Sequence, residues 1–96
     1  MIDVGSASTC GVRTDGAGYC WGFNGTGVLG DSTTITRQVP TPVAGGLTFS
    51  MIDVGFDHAC GVATDGNVYC WGANASGQLG DGTTAPSSVP VLVTIP

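Results

Sequence analysis

The 96-residue sequence predicts an all-β chain of two four-stranded antiparallel units, and three observations support that prediction. Val, Thr and the turn formers Asp, Asn and Ser are abundant and glycine supplies 17 residues, which is typical of β proteins. The sequence also repeats itself after fifty positions. Each copy contains four short β-rich runs separated by turn-forming residues. No window has apolar residues at helical spacing, so we expect essentially no helix.

The internal repeat covers almost the whole chain. When the sequence is shifted by fifty positions, residues 1–5 fall on residues 51–55, and 25 of the 46 compared positions are identical. A period near fifty is typical of β-propellers and related arrays, in which each repeat is one blade. We therefore divide the chain into a first unit over residues 1–46 and a second unit over residues 47–96.

The strands of one unit are predicted most clearly in the second copy. The four β-rich runs are residues 51–54, 59–63, 68–71 and 89–93, and residues 73–88 form a long loop rich in Gly, Asn, Ser and Thr. Pro90 lies in the fourth run and favours an edge position, because proline has no amide hydrogen to donate to a neighbouring strand. Four short strands suit one propeller blade.

The turn between the second and third runs sets the register of the cysteines. Thr64-Asp65-Gly66 suits a three-residue hairpin loop that ends in a left-handed glycine, and Gly16 takes the same place in the first unit. This register places the four cysteines opposite one another in two pairs, Cys10 with Cys20 and Cys60 with Cys70. Their spacing does not match zinc motifs. Disulfides are favoured, with free thiols packed as small apolar groups as the alternative.

Charge and hydropathy exclude two classes of partner. The chain has two Arg, no Lys and seven acidic residues, giving a net charge of −5, so we expect no nucleic-acid partner. No apolar run approaches the roughly 20 residues of a membrane-spanning helix, and the first residues lack the pattern of an export signal. If the disulfides form, the parent protein belongs to an oxidising compartment, extracellular or periplasmic.

A specific family resemblance lies in the second unit. The string His-Ala-Cys-Gly-Val-Ala-Thr-Asp-Gly-Asn-Val-Tyr-Cys-Trp-Gly over 58–72 is followed by Asn74, by Gly-Gln-Leu-Gly-Asp-Gly over 77–82 and by Val-Pro at 89–90. It resembles the RCC1 repeat of the regulator of chromosome condensation family. The first unit departs from the pattern at Ser8, Gly18 and Val28, where the family has His, Val and Gln.

The resemblance implies the blade of a seven-bladed propeller, of which this chain is a two-repeat piece, natural or designed. Members of the family range in activity from nucleotide exchange on a small GTPase to ultraviolet sensing and protein recognition, and the cysteine pair is similar to that of many bacterial members. Because function in such folds resides in surface loops, the resemblance implies the blade without its activity.

No group of residues specifies a reaction, a cofactor or a metal, so we expect no enzyme. His58 is the only histidine, and Ser8 replaces it in the first unit, so we expect its imidazole to bond a loop carbonyl, as the resemblance implies. Asp31 and Asp81 precede Thr-containing turns, which we favour over a calcium site. Asp3 and Asp53 lie in strands and are expected to bond loop amides or hydroxyls.

Large side chains in equivalent positions are expected to pack between blades. They are Trp21, Trp71, Tyr19, Tyr69, Leu29 and Leu79. For the two tryptophans, stacking on a ligand is the less favoured alternative.

Two blades leave two broad apolar faces uncovered, so we do not expect a stable monomer. The sequence predicts a homo-oligomer closed into a propeller. A blade of a seven-membered ring turns by roughly 51°, against roughly 45° in a ring of four chains and roughly 60° in a ring of three, which slightly favours the tetramer. The predicted function is a non-enzymatic structural or protein-recognition scaffold. The alternatives are guanine-nucleotide exchange and lectin-like or calcium-dependent surface binding.

Overall fold

The computed structural model describes residues 1–5 and 7–93, which fold into two four-stranded antiparallel sheets. The strands are β1 (Ile2–Val4), β2 (Ser8–Val12), β3 (Gly18–Gly22), β4 (Arg37–Pro42), β5 (Phe49–Val54), β6 (His58–Ala63), β7 (Val68–Gly72) and β8 (Ser87–Leu92). Strand order within each sheet follows the sequence, β1 to β4 and β5 to β8. The all-β prediction is therefore confirmed.

The strand boundaries differ little from those predicted. β8 begins at Ser87, two residues earlier than expected, and Pro90 lies in it at the edge of the second sheet. Over residues 1–5 and 7–93 the structure contains no helix, and so none that is long and apolar enough to cross a membrane.

The predicted hairpin register is confirmed. The amide of Ala63 donates to the carbonyl of Asn67 at 2.8 Å and that of Gly66 donates to the carbonyl of Ala63 at 2.9 Å, while Gly66 has φ of +91°. Gly16 has φ of +90° in the first sheet. The cysteines form two disulfides between paired strands, Cys10–Cys20 with Cα atoms 4.1 Å apart and Cys60–Cys70 with Cα atoms 4.0 Å apart.

One buried asparagine holds each long loop between the third and fourth strands. Asn24 is fully buried; its Nδ2 donates to the carbonyls of Thr33 and Ile35, both at 3.0 Å, and its Oδ1 accepts from the amide of Leu29 at 2.9 Å. Asn74 makes the equivalent bonds in the second sheet. A single amide thus satisfies backbone groups that the loop would otherwise bury without partners.

The hydrophobic core lies between the two sheets. Its buried members are Cys10, Cys20, Val28, Leu29, Phe49, Ile52, Val54, Ala59 and Trp71. Residues 43–48 link the sheets and lie along their junction: the amide of Ala44 donates to the carbonyl of Gly30 at 2.8 Å, and that of Phe49 donates to the carbonyl of Gly16 at 2.7 Å. The rings of Phe49 and Trp71 contact each other with centroids 5.9 Å apart.

Candidate functional site

The contact between the sheets is centred on Trp71. Its indole is fully buried, and Nε1–H donates to the carbonyl of Val28 at 2.8 Å. A Cβ atom on Gly30 would lie 2.7 Å from the same Nε1, so the loop approaches the indole only because residue 30 is glycine, which also has φ of +67°. The indole is thus held by both a hydrogen bond and close packing.

Two different surfaces meet in this contact. The surface of the second sheet that packs against the first sheet comprises Ile52, Val54 and Trp71, and we call it the tryptophan face. We call the opposing surface of the first sheet the loop face; it comprises Gly16, Gly18, Thr26, Gly27, Val28 and Gly30. Across the contact the Thr26 hydroxyl donates to the carbonyl of Asp57 at 2.9 Å, and a Cβ on Gly27 would lie 2.9 Å from the Cα of Ser88.

The first sheet has a tryptophan face of its own, and it is uncovered. Ile2 is 68% exposed and Val4 is 69% exposed, whereas the equivalent residues Ile52 and Val54 are 0% and 6% exposed. A groove of about 560 Å³ lies on this face; Met1, Ile2, Gly11, Val12, Arg13, Tyr19, Trp21 and Pro40 line it. Trp21 therefore lies in an open groove in the position where Trp71 is buried.

The second sheet has an uncovered loop face. A Cβ atom added to Gly66 or Gly77 would meet nothing within 4 Å, whereas one on Gly16 would lie 3.0 Å from Thr48. Gln78 replaces the fully buried Val28 and is half-buried. The first sheet thus leaves its tryptophan face open, and the second sheet leaves its loop face open. In the contact inside the chain, a face of each kind is covered by the other.

The expected packing residues divide between these surfaces. Leu29 belongs to the core between the sheets, and Tyr69 packs against that core. Leu79 is fully buried although the loop face of its sheet is open, so its own sheet and loop bury it instead of a contact between blades. Tyr19 lines the open groove, where its hydroxyl accepts from the Arg13 guanidinium at 3.2 Å.

Two aspartates meet where β1 approaches β5. The carboxylate of Asp3 accepts from the amide of Val54 at 2.7 Å, so its partner is a strand amide of the other sheet, and the expectation of a loop amide was wrong. This backbone bond, with the hydrogen bond shared with Asp53, lowers the pKa of Asp3. The shared hydrogen bond and the negative charge of Asp3 raise the pKa of Asp53.

The remaining polar candidates have structural roles. Nδ1 of His58 lies 3.3 Å from the carboxylate of Asp57, in place of the expected loop carbonyl. Asp31 accepts from the amide of Thr33 at 3.0 Å and its hydroxyl at 2.7 Å, which confirms the turn interpretation. Burial would raise the pKa of Asp31, but hydrogen bonds from Thr33, Arg37 and Asn24 outweigh it and lower the pKa.

Asp81 makes the same turn with Thr83, although Ser87 stands where the first unit has Arg37. The hydrogen bonds from Thr83 lower the pKa of Asp81. Within the described part of the chain, no group of three or more His, Cys, Asp or Glu residues is placed to hold a metal ion.

The family assignment follows from the blade geometry and from sequence comparison. The regulator of chromosome condensation (RCC1) repeat matches residues 15–62, and a second form of that repeat matches residues 52–78. The chain belongs to the RCC1 repeat family. Each of its sheets is a propeller blade of this family, and we call them the first and second blade from here on.

Solved structures share this fold. The chain is similar to human WBSCR16, with a TM-score of 0.87 and 22% identity over 100% of this chain and 26% of that one. It is also similar to Prp20p from Saccharomyces cerevisiae, with a TM-score of 0.86 and 19% identity over 99% of this chain and 25% of that one. Yeast RCC1 (Prp20) bound to Kap60 gives a TM-score of 0.81 at 20% identity, over 100% of this chain and 23% of that one.

The chain therefore spans about a quarter of the length of these RCC1 repeat structures. The search of curated proteins returned no match.

Sequence reasoning missed two features of the site. The buried Asn24 and Asn74 occupy the same place in both units, three residues after the blade tryptophan, and that coincidence within a polar loop was the available signal. The bond from the Thr26 hydroxyl to the second blade had no sequence signal, because it depends on how one blade is placed against the next.

Proposed function

We propose that this RCC1 repeat chain is a non-enzymatic scaffold that self-assembles into a closed homo-oligomeric propeller and presents its loops to a protein partner. The proposal rests on one observation, the exposure of Ile2 at 68% where its counterpart Ile52 is fully buried. Apolar surface of this kind marks an interaction site, since burying it is favourable at roughly 25 cal/mol per Å².

The ring is proposed to contain four chains in preference to three. Eight blades require a turn of roughly 45° per blade and six require roughly 60°, against roughly 51° in a seven-bladed ring, so the tetramer strains each contact less. Native mass spectrometry under non-reducing conditions tests this directly, since each chain adds 9.5 kDa. A monomer at micromolar concentration would contradict self-assembly, whereas a trimer would contradict only the number of chains.

A protein partner is proposed from the structural neighbours. The structure of Prp20p was described with its binding to Gsp1p and histones, and yeast RCC1 was solved bound to Kap60. Protein recognition is thus known for propellers of this fold. The assembled chain should be immobilised and tested against small GTPases, with nucleotide release measured in parallel. Binding without faster nucleotide release supports the scaffold, and faster release would favour exchange activity instead.

A further inference from the structure

We propose that copies of this chain join head to tail, with the open tryptophan face of one copy packed on the open loop face of another, so that the Trp21 indole donates to the Gln78 carbonyl of the second copy. This inference rests on the proposed self-assembly, and it adds the two surfaces, their orientation and the hydrogen bond at their centre. We call the contact between copies the joint.

The contact inside the chain supplies the geometry of the joint. Trp21 corresponds to Trp71, and the acceptor of the Trp71 bond is the backbone carbonyl of residue 28, so replacing Val28 by Gln78 keeps the acceptor. Gly80 has φ of +65° against +67° for Gly30, so the loop backbone has the same shape. The side chain of Val93 lies 3.1 Å from where a Cβ of Gly80 would be, and it must turn aside to admit an indole. The backbone groups of both sides of the Trp71 contact therefore recur in the chain, on the tryptophan face of the first blade and on the loop face of the second.

The two open surfaces differ in kind, which fixes the orientation. One is a sheet surface with a groove, and the other consists of loops and a hairpin tip. Two copies of the same surface have no such complementarity, so a symmetrical contact of like with like does not reproduce the Trp71 contact. Head-to-tail contacts of this kind close into a ring when the rotation allows it.

One position requires adjustment at the joint. A Cβ on Gly18 would lie 2.9 Å from Ile52 and 3.0 Å from Phe49, and Val68 occupies the equivalent place on the open loop face. Phe49 fills this space in the internal contact, and no described residue of the first blade is its counterpart. Val68 then fills apolar space beside Ile2, which is the counterpart of Ile52. The end of the Ile2 side chain can rotate to make room for Val68.

One cationic side chain lies on the tryptophan face and one acidic side chain lies beside the loop face. Arg13 is one of two cationic side chains in a chain of net charge −5, and it lines the groove of the tryptophan face. Asp65 lies at the hairpin tip beside the loop face. In the internal contact Phe49 pairs with Ala63, the counterpart of Arg13, and bonds Gly16 at the tip of the other hairpin. Arg13 pairs with Asp15 of its own chain at 3.5 Å. No described residue of the first blade takes the place of Phe49, so the Arg13 side chain can also reach Asp65 of the second copy.

Paired variants test the joint. Ile2→Asp disrupts the tryptophan face and leaves the loop face intact, while Val68→Arg does the reverse. Ile2 is exposed and Val68 is half-buried in the separate chain. Each variant alone should remain monomeric under conditions where the unmodified chain assembles. An equimolar mixture should form a species of two chains, one of each variant, because one joint remains possible. Native mass spectrometry identifies it by mass.

Controls separate this inference from self-assembly itself. Ala85→Arg places the same charge on an exposed loop residue of the second blade and should assemble like the unmodified chain. Trp21→Phe removes the indole donor and should weaken assembly at least about fivefold. Assembly of Ile2→Asp alone, or a mixture that stays monomeric while the unmodified chain assembles, would overturn the joint and leave self-assembly standing. A monomeric unmodified chain would overturn both.

A gain-of-affinity variant gives an independent measurement. Gln78→Val restores at the joint the residue that is fully buried in the internal contact, so it should lower the concentration needed for assembly, by about threefold or more. Sedimentation velocity over a dilution series measures that concentration. Unchanged or weaker assembly of Gln78→Val would show that residue 78 lies outside the contact and would overturn the joint.

Discussion

Single amides stabilise the long loops of both blades. Asn24 and Asn74 each bond three backbone groups across the loop, and within each blade they are fully buried in a chain that has few other polar groups inside. The loops of 14 residues between β3 and β4 and between β7 and β8 have no strand of their own, so these bonds replace the ladder that a strand would provide.

Asn24→Ala should therefore lower the free energy of unfolding by about 2 to 4 kcal/mol, because the carbonyls of Thr33 and Ile35 and the amide of Leu29 lose their partner together. Urea denaturation measures the change. Asn67→Ala is the matched control, since Asn67 is exposed at the hairpin tip, and should cost far less. Equal costs for the two variants would contradict the role of the buried amide.

Local turn chemistry explains why the hairpins could be predicted from the sequence. Thr64-Asp65-Gly66 admits few loop geometries, so the pairing of Cys60 with Cys70 followed from the turn alone. The strand pairs and the fold class were predictable for the same reason. The bond of Asp3 to Val54 was not, because it joins residues 51 positions apart on different blades, and only the placement of one sheet against another creates it.

The hairpins give a graded prediction. Gly66→Val should cost at least about 1 kcal/mol, because a β-branched residue is strained at φ of +91°. Gly16→Val should cost more, since its Cβ would also lie 3.0 Å from Thr48 of the linker. Thermal melting at fixed protein concentration compares the two. If Gly66→Val left the melting temperature unchanged, the turn type, and with it the cysteine register, would be wrong.

The contact of β1 with β5 predicts a pH dependence. The pKa of Asp53 is raised above the value of about 3.9 for an unfolded aspartate, so its contribution to stability is present below that pH and is lost as the pH rises through the folded pKa. Asp53→Asn keeps a hydrogen-bond donor toward Asp3 at every pH. This variant should melt higher than the unmodified chain at pH 7, and its advantage should disappear below pH about 4.

Asp15→Asn controls for the loss of one negative charge, since Asp15 is exposed at the first hairpin and pairs with Arg13. It should show no comparable gain at pH 7. A melting difference between Asp53→Asn and the unmodified chain that stays constant over this range would contradict the shared hydrogen bond between the two carboxyl groups.

The molecule as a whole has one covered and one uncovered tryptophan face. Trp71 and Trp21 occupy equivalent places in the two blades, yet only Trp71 is buried by its own chain. The two residues therefore report on different events: Trp71 on the packing of one blade against the other, and Trp21 on the proposed contact with a second copy.

Trp71→Ala should lower the free energy of unfolding by about 3 to 5 kcal/mol at any protein concentration, because it empties the core within the chain. Trp21→Ala should cost less than half as much when the protein is too dilute to assemble, and more as concentration rises. Replacing both tryptophans should dissociate the proposed ring. Denaturation curves at several concentrations distinguish the variants, and an equal, concentration-independent cost would contradict the assignment.

The linker over residues 43–48 joins the two blades of one chain. The contact between these blades therefore forms with different thermodynamics from the proposed contact between two copies. Inside the chain the linker holds one blade beside the next at a high effective concentration, so that contact forms as soon as the chain folds. In the proposed ring, a contact between copies forms by mass action until the last one, which closes the ring and is again intramolecular. Open intermediates therefore have at least one contact fewer than the proposed ring and are expected to be sparsely populated. Assembly should be all-or-none, with free chains and complete rings as the only abundant species on dilution.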